Sequence, residues 1–179
     1  ESAESVPDDC NILLINGPQY DFTEAEYNVL SSYLKEGGKA MFFLYPTTTE
    51  KMTYFYKLLS DYGVNVADGY IIDSEGSYSS QYPMYLTPTL EDSDLTSGLA
   101  DTQKVVIPIC KGMTVQSDVR STLTVENMMS TTDGAYAKTN IKSQTVDKED
   151  GDVNGPFSVA LSVKDSYAEK TKGTGHATE

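Results

Sequence analysis

The chain has no tryptophan, a single histidine, two cysteines and no cluster of basic residues, and each shortage removes a class of function. His176 lies near the C-terminus, outside any apolar pattern, which leaves almost no room for histidine catalysis or a His-rich metal site. Thirteen basic side chains against 27 acidic ones give a net charge of −14. Nucleic acid and anionic membrane surfaces both select basic faces, so neither is an expected partner. No run approaches 18 apolar residues, so nothing reads as a bilayer-spanning helix, and no signal peptide opens the chain. Cys10 precedes one apolar run and Cys110 ends another. In parallel strands those positions fall at opposite sheet edges, so two unbridged thiols are expected.

What remains is an acidic globular chain. Its 179 residues are 39% hydrophobic and 22% charged, the proportions of one folded domain. The acid is uneven: residues 1–90 carry 13 acids and 4 bases (−9), and residues 91–179 carry 14 and 9 (−5). One domain over residues 1–163 is expected, followed by a flexible polar tail over 164–179. With no initiator Met, the chain reads as a piece cut from a longer protein.

The first half is well punctuated. Asn11–Ile15 is an apolar run closed by Asn16-Gly17-Pro18, the pattern of a strand buried on both faces. Thr23 with Glu26 forms a capping box, Tyr27, Leu30 and Leu34 hold an apolar stripe, and Gly37-Gly38 supplies a stop. Lys39–Tyr45 is a second apolar run, ended by Pro46. Thr47 and Glu50 repeat the capping box before the stripe Met52, Phe55, Leu59, Tyr62 and the stop Gly63. Val64–Ile72 is a third extended segment, interrupted at Asp68-Gly69. This β-α-β-α-β order predicts a mostly parallel sheet in a three-layer α/β/α fold, with Leu13 and Phe43 in its core.

The second half is looser. Asp73–Thr89 reads as a long loop rich in Ser and Tyr, Leu95–Ala100 as a short helix, and Val105–Ile109 as an edge strand carrying Pro108. Arg120–Met129 is a further strand candidate, and Thr139–Gly155 a mobile acidic segment. Phe157, Val159, Leu161 and Val163 alternate with smaller residues, the cleanest period-two strand in the chain.

Four features bear on function. The strand-end residues Asn16, Gly17, Pro18 and Gln19, with Tyr45 and Pro46, occupy the edge where open parallel sheets bind ligands. They lack both G-x-G-x-x-G and a Walker lysine, and turn chemistry alone also explains them. Tyr78, Tyr82 and Tyr85 cluster in the long loop, as a sugar or protein platform or as plain sheet cover. Pro108-Ile109-Cys110-Lys111-Gly112 is the nearest match to a nucleophile elbow, but proline replaces the first glycine. Asp150-Gly151-Asp152-Val153-Asn154-Gly155 copies the opening of a calcium loop, while its closing position is Leu161 rather than Glu. No metal and no cofactor is expected.

The run Val6–Pro18, followed by Asp21–Glu26 and Tyr33–Lys39, resembles the extracytoplasmic domain of the GldG-like ABC-type transport auxiliary proteins. Leu58–Val64, Ser130–Ala137 and Gly155-Pro156-Phe157 are similar to later steps of that family, so the resemblance runs from Val6 to Val163. Where relatives often carry His-Pro-aliphatic-Thr, this chain has Ser93-Asp94-Leu95-Thr96. The resemblance implies a flavodoxin-like or class I glutamine amidotransferase-like fold without catalytic residues. It also implies a position outside the cytoplasm, tethered to the membrane by segments beyond this chain, beside the subunits of an ABC transporter. A non-catalytic interaction or ligand-sensing domain is therefore the leading expectation, with envelope polysaccharide or peptide as further partners. The alternatives are a relic hydrolase using Cys110 and a glycan- or peptide-binding domain.

Overall fold

The computed structural model describes residues 4–46, 51–99 and 104–166. The chain begins as its punctuation predicts. β1 (Leu13–Asn16) leads to α1 (Glu24–Lys35), and the capping box is formed. The Thr23 N–H donates to Glu26 Oε2 at 2.8 Å, and the Glu26 N–H donates to Thr23 Oγ1 at 3.2 Å, so two helix-end donors are satisfied reciprocally. Gly37, at φ +88°, takes the left-handed turn that stops the helix. β2 (Ala40–Phe43) then pairs in parallel with β1, from Leu13 opposite Ala40 to Asn16 opposite Phe43.

The expected second capping box, Thr47 with Glu50, lies outside the described residues. The start of α2 (Thr53–Ser60) is capped from a distance instead. The Asp21 carboxylate accepts the N–H groups of Tyr54 at 3.0 Å and Phe55 at 2.9 Å, placing an anion on the positive end of the helix.

Beyond α2 the three-layer, mostly parallel expectation fails. Val64–Ile72 breaks at Asp68-Gly69 into β3 (Val64–Val66) and β4 (Tyr70–Ile72), and neither joins the parallel pair. Gly69, at φ +78°, makes the bend; a Cβ there would lie 1.8 Å from the Lys138 carbonyl oxygen. The later strands are β5 (Tyr85–Leu86), β6 (Thr89–Leu90), β7 (Ile107–Pro108), β8 (Met113–Val115), β9 (Leu123–Ser130), β10 (Tyr136–Lys138), β11 (Val153–Asn154) and β12 (Ser158–Asp165). They form a five-stranded sheet ordered β3-β8-β12-β9-β6, a three-stranded sheet β11-β10-β4 and the pair β5-β7, all antiparallel. Among the described residues the fold is thus mostly antiparallel β with two short helices, not flavodoxin-like or amidotransferase-like. The physical reason is connectivity. A parallel neighbour needs a crossover of a dozen or more residues, usually a helix, and after α2 the strands follow one another through turns and loops.

Other expectations shift with it. Leu95–Leu99 is a chain of turns rather than a helix, whereas Pro108 does sit in a two-stranded edge pair. β12 runs through Lys164 and Asp165, two residues into the segment expected to be tail, and Arg120 binds Asp165 at 2.6 Å. His176 lies outside the described residues.

Two cores result. Met52, Phe55, Leu59 and Val64 pack with Ile15, Phe42 and Leu44 of the parallel region and with Met113, Leu161 and Val163 of the large sheet. Helix α2 therefore joins the two sheets. Ile71, Leu86, Cys110, Ala135, Ala137 and Phe157 form the second core beneath the smaller sheets.

Candidate functional site

The strand-end residues do come together. The Gly17 N–H donates to the Phe43 carbonyl at 3.0 Å, continuing the β1–β2 ladder by one step, and Gly17 turns the chain at φ +56°. A Cβ on Gly17 would meet Tyr45 Cβ at 3.5 Å, so the two strand exits touch. Gln19 folds back, its Nε2 donating to the Gly17 carbonyl at 3.0 Å. Two residues later Asp21 pins the loop to α2. Asn16, Gln19 and Tyr45 are left exposed, with Pro18 and Pro46 half-buried.

The larger feature is the sheet surface leading to that edge. Burial alternates along both strands, so only one face meets α2 and its neighbours. The opposite face is open: Ile12 is 60% exposed, Leu14 57%, Met41 52%, Phe43 51% and Tyr45 49%. Leu14 pairs with Met41, and Asn16 with Phe43. The expectation that these strands are buried on both faces, with Phe43 in the core, is thereby corrected. An isolated parallel pair with one bare apolar face is unusual, because parallel sheets ordinarily carry cover on both sides.

Tyr78, Tyr82 and Tyr85 belong to a different sheet region, on the turn leading into β5. Backbone bonds from Tyr82 to Ser79 and from Tyr85 to Tyr82, both 2.9 Å, close the turn. The Tyr82 and Tyr85 rings stack with centroids 5.6 Å apart and planes 22° from parallel, while Tyr78 projects into solvent.

Cys110 is placed where it cannot serve as an elbow nucleophile. The left-handed residue of the segment is Ile109, at φ +47°, and the chain continues into β8 rather than a helix. The thiol is buried in the second core, and burial pushes its pKa up to about 12, so almost no thiolate exists at neutral pH. Cys10 and Cys110 are both free.

The acidic segment Thr139–Gly155 is tied down rather than loose. It wraps around Lys138, whose side chain has no accessible surface. The ammonium binds Glu149 Oε2 at 2.7 Å and Asp152 Oδ2 at 3.4 Å and donates a further bond to the Asp147 carbonyl. Asp152 also accepts from the Thr139 and Glu149 N–H groups, both at 2.9 Å. The calcium-like spacing is therefore organised around an internal lysine. No group of three or more His, Cys, Asp or Glu is arranged to hold a metal among the described residues. Nor is any helix there long and apolar enough to cross a membrane.

These features fall into two halves, and the first half carries the family signal. Residues 1–84 match the family of the ABC-type uncharacterized transport system. The matched stretch holds β1, α1, β2, α2, β3 and β4, including the whole open face, and over those residues it bears out the resemblance to ABC-type transport auxiliary proteins. Among solved structures, the chain is similar to the mmIFT52 N-terminal domain. The TM-score is 0.53 at 20% identity, over 70% of this chain and 57% of that one. That likeness is one of fold alone, and the chain spans little more than half of the domain it resembles. A comparison with curated proteins finds no match.

Sequence reasoning missed the open face because both of its strands are apolar at nearly every position. A strand covered on both sides and a strand half bare share that pattern, and only the partner elements distinguish them. It missed Asp21 as the cap of α2 because the donor groups lie 33 and 34 residues away.

Proposed function

We propose that this chain is a non-catalytic interaction domain of an ABC-type transport auxiliary protein, held outside the cytoplasm by a membrane anchor in the full-length protein. It works by presenting the open face of β1–β2, with the adjoining edge at Asn16–Gln19 and Tyr45–Pro46, to another subunit of the same system. One observation carries this reading: five large apolar side chains share one face of a parallel pair inside the segment that bears the family signal. Contiguous exposed apolar surface of that kind marks interaction sites. The burial of Cys110 supports it further, by removing the one nucleophile that the rival hydrolase reading had.

A photo-crosslinking residue at position 43 tests the proposal in cells carrying the whole transport system. Adducts with the transporter's permease or ATP-binding subunits are expected from position 43 and not from position 95, an exposed apolar site elsewhere. Equal adducts from both positions would overturn it. A second reading, capture of an envelope glycan or peptide, has the Tyr82–Tyr85 stack in its favour, since stacked exposed rings suit sugar and proline faces.

A further inference from the structure

We propose that Met41 is an oxidant-sensitive switch within the open face of β1–β2. Peroxide converts its thioether to a sulfoxide, and the polar product closes to association a surface that was apolar before. The effect on association rests on the interaction-domain reading above; the chemistry of the residue does not. Three properties single out Met41.

The first is exposure. The chain has six methionines, Met41, Met52, Met84, Met113, Met128 and Met129. Met41 is 52% exposed and Met52 2%. The other four are half-buried, Met113 against the first core. An oxidant in solution reaches an exposed thioether before a covered one. Of the thiols, Cys110 is buried in the second core, and Cys10 is half-buried with its sulfur 3.9 Å from the Tyr33 hydroxyl.

The second is position. Met41 pairs with Leu14 across the strands and precedes Phe43 by two residues on the same side of β2. Strand geometry puts both neighbours within about 5–7 Å of it. All three are more than half exposed, so an oxygen on the Met41 sulfur falls inside the apolar patch. An apolar partner would then have to cover a strong hydrogen-bond acceptor left without a donor, which costs free energy.

The third is tolerance. Met41 is half in water before it reacts, so its sulfoxide needs no rearrangement of the fold. The same oxygen on Met52 would enter the first core and break it. Oxidation at position 41 is a switch where oxidation at position 52 is damage. The step balances with hydrogen peroxide as co-reactant. The sulfur gives up two electrons, a sulfur–oxygen bond forms, the O–O bond breaks and water leaves. A sulfoxide reductase with a dithiol reverses it, releasing the oxygen as water and leaving a disulfide.

The test is dilute hydrogen peroxide on the full chain, followed by peptide mapping, which reads a gain of about 16 Da at each oxidised methionine. Met41 is expected to oxidise first, roughly tenfold faster than Met52. The native-state fluorescence of a dye that reports apolar surface should fall at least twofold in step with Met41 sulfoxide, and sulfoxide reductase should restore it. M41L keeps the apolar bulk without the sulfur, so it should bind the dye as the parent does and ignore peroxide. M41Q, a polar mimic of the sulfoxide, should be dim from the start. C10A should respond to peroxide like the parent. Earlier oxidation of another methionine, or an unchanged dye signal once Met41 is oxidised, would overturn the proposal. So would an equal loss of signal in M41L, or a change in circular dichroism that accompanies Met41 oxidation. In cells carrying the whole transport system, peroxide should abolish the adducts from position 43 in the parent and spare them in M41L. Adducts that persist on the oxidised chain would reject the switch and keep the interaction domain. No adducts before any oxidant would sink the interaction domain, with the mapping and dye results still deciding the chemistry of Met41.

Discussion

The two halves of the molecule treat apolar and charged groups in opposite ways. The β1–α1–β2 region leaves Leu14, Met41 and Phe43 in solvent, while the β10–β11 region closes completely around a lysine. An apolar side chain left in water costs little beyond unrealised burial, on the order of 1.5–3 kcal/mol for a large one. A lysine removed from water needs several well-placed acceptors, and here it has them. The lysine cluster of the second half is therefore satisfied within this chain. The first half is complete on its inner face only, and its outer face is where association has free energy left to gain.

The sharpest way to break this comparison is to remove the buried cation. Lys138→Met keeps the length and the apolar stem but leaves Glu149 and Asp152 facing each other without a counter-ion. Losing one partner of a buried pair is among the most destabilising changes, so the melting temperature should fall by roughly 10 °C or more. Thermal unfolding followed by circular dichroism reads it; a parental melting curve would mean the lysine cluster contributes nothing.

The same cluster sets a pH window. The hydrogen bond from Lys138 holds the Glu149 carboxyl below its ordinary value. Burial pushes Asp152 upward, but bonds from the Glu149 and Thr139 N–H groups and from Lys138 outweigh it, leaving that carboxyl lowered too. Burial pulls Lys138 downward, and its bonds to Glu149 and Asp152 more than reverse this, so it is raised. Depressed carboxylates contribute stability above their unfolded pKa and lose it as pH falls through the folded value. A raised lysine contributes stability below its unfolded pKa and loses it as pH rises through the folded one. The melting temperature of the parent should hold at neutral pH and fall both below the carboxylate range and above the lysine range. In Lys138→Met the alkaline limb linked to this lysine should vanish.

Local signals in the sequence were legible and distant ones were not. Thr23 with Glu26, Gly37 and the break at Asp68-Gly69 all appear where residue type predicts them, because each acts within a few positions of itself. The period-two run in β12 is likewise a strand. What failed was the extension from three strands to a parallel sheet. That step assumes each strand pairs with its predecessor, and β3 instead lies beside β8, some fifty residues away. The site shows the same division. Asn16–Gln19 and Tyr45–Pro46 meet as expected, since consecutive β-α-β strands pair. The Tyr78–Tyr85 group lies in another sheet region, placed by the β5–β7 pairing that no local pattern marks.

A smaller effect sharpens the account of how the strand-end edge is held. Asp21→Ala removes the acceptor for the Tyr54 and Phe55 N–H groups and frees the loop after Gln19. Loss of a capping carboxylate costs about 0.5–2 kcal/mol. Denaturant unfolding should register that loss with an unchanged slope. Asp21→Asn keeps the acceptor for Phe55 but turns an NH2 toward the Tyr54 N–H, so it should recover only part of it. Equal loss in both variants would mean that one acceptor oxygen is worth nothing without the second and the charge; no loss in either would mean Asp21 does not cap α2.

The smallest expected effect is the most informative about the open face. If Phe43 were a core residue, Phe43→Ala would cost about 3–5 kcal/mol. With half of its surface already in water and only one strand neighbour on its face, the substitution should cost less than about 1 kcal/mol. Phe55→Ala, on the covered side of the same region, should show the full core penalty of about 3–5 kcal/mol. The contrast removes the ambiguity of a single variant, because the two phenylalanines share chemistry and differ in burial. A dye that fluoresces on apolar surface should bind the parent in its native state, and Phe43→Ala should dim that signal while leaving the unfolding midpoint nearly in place. A large loss of stability at Phe43 would mean the face is already covered within this chain, and the case for a partner there would fail with it.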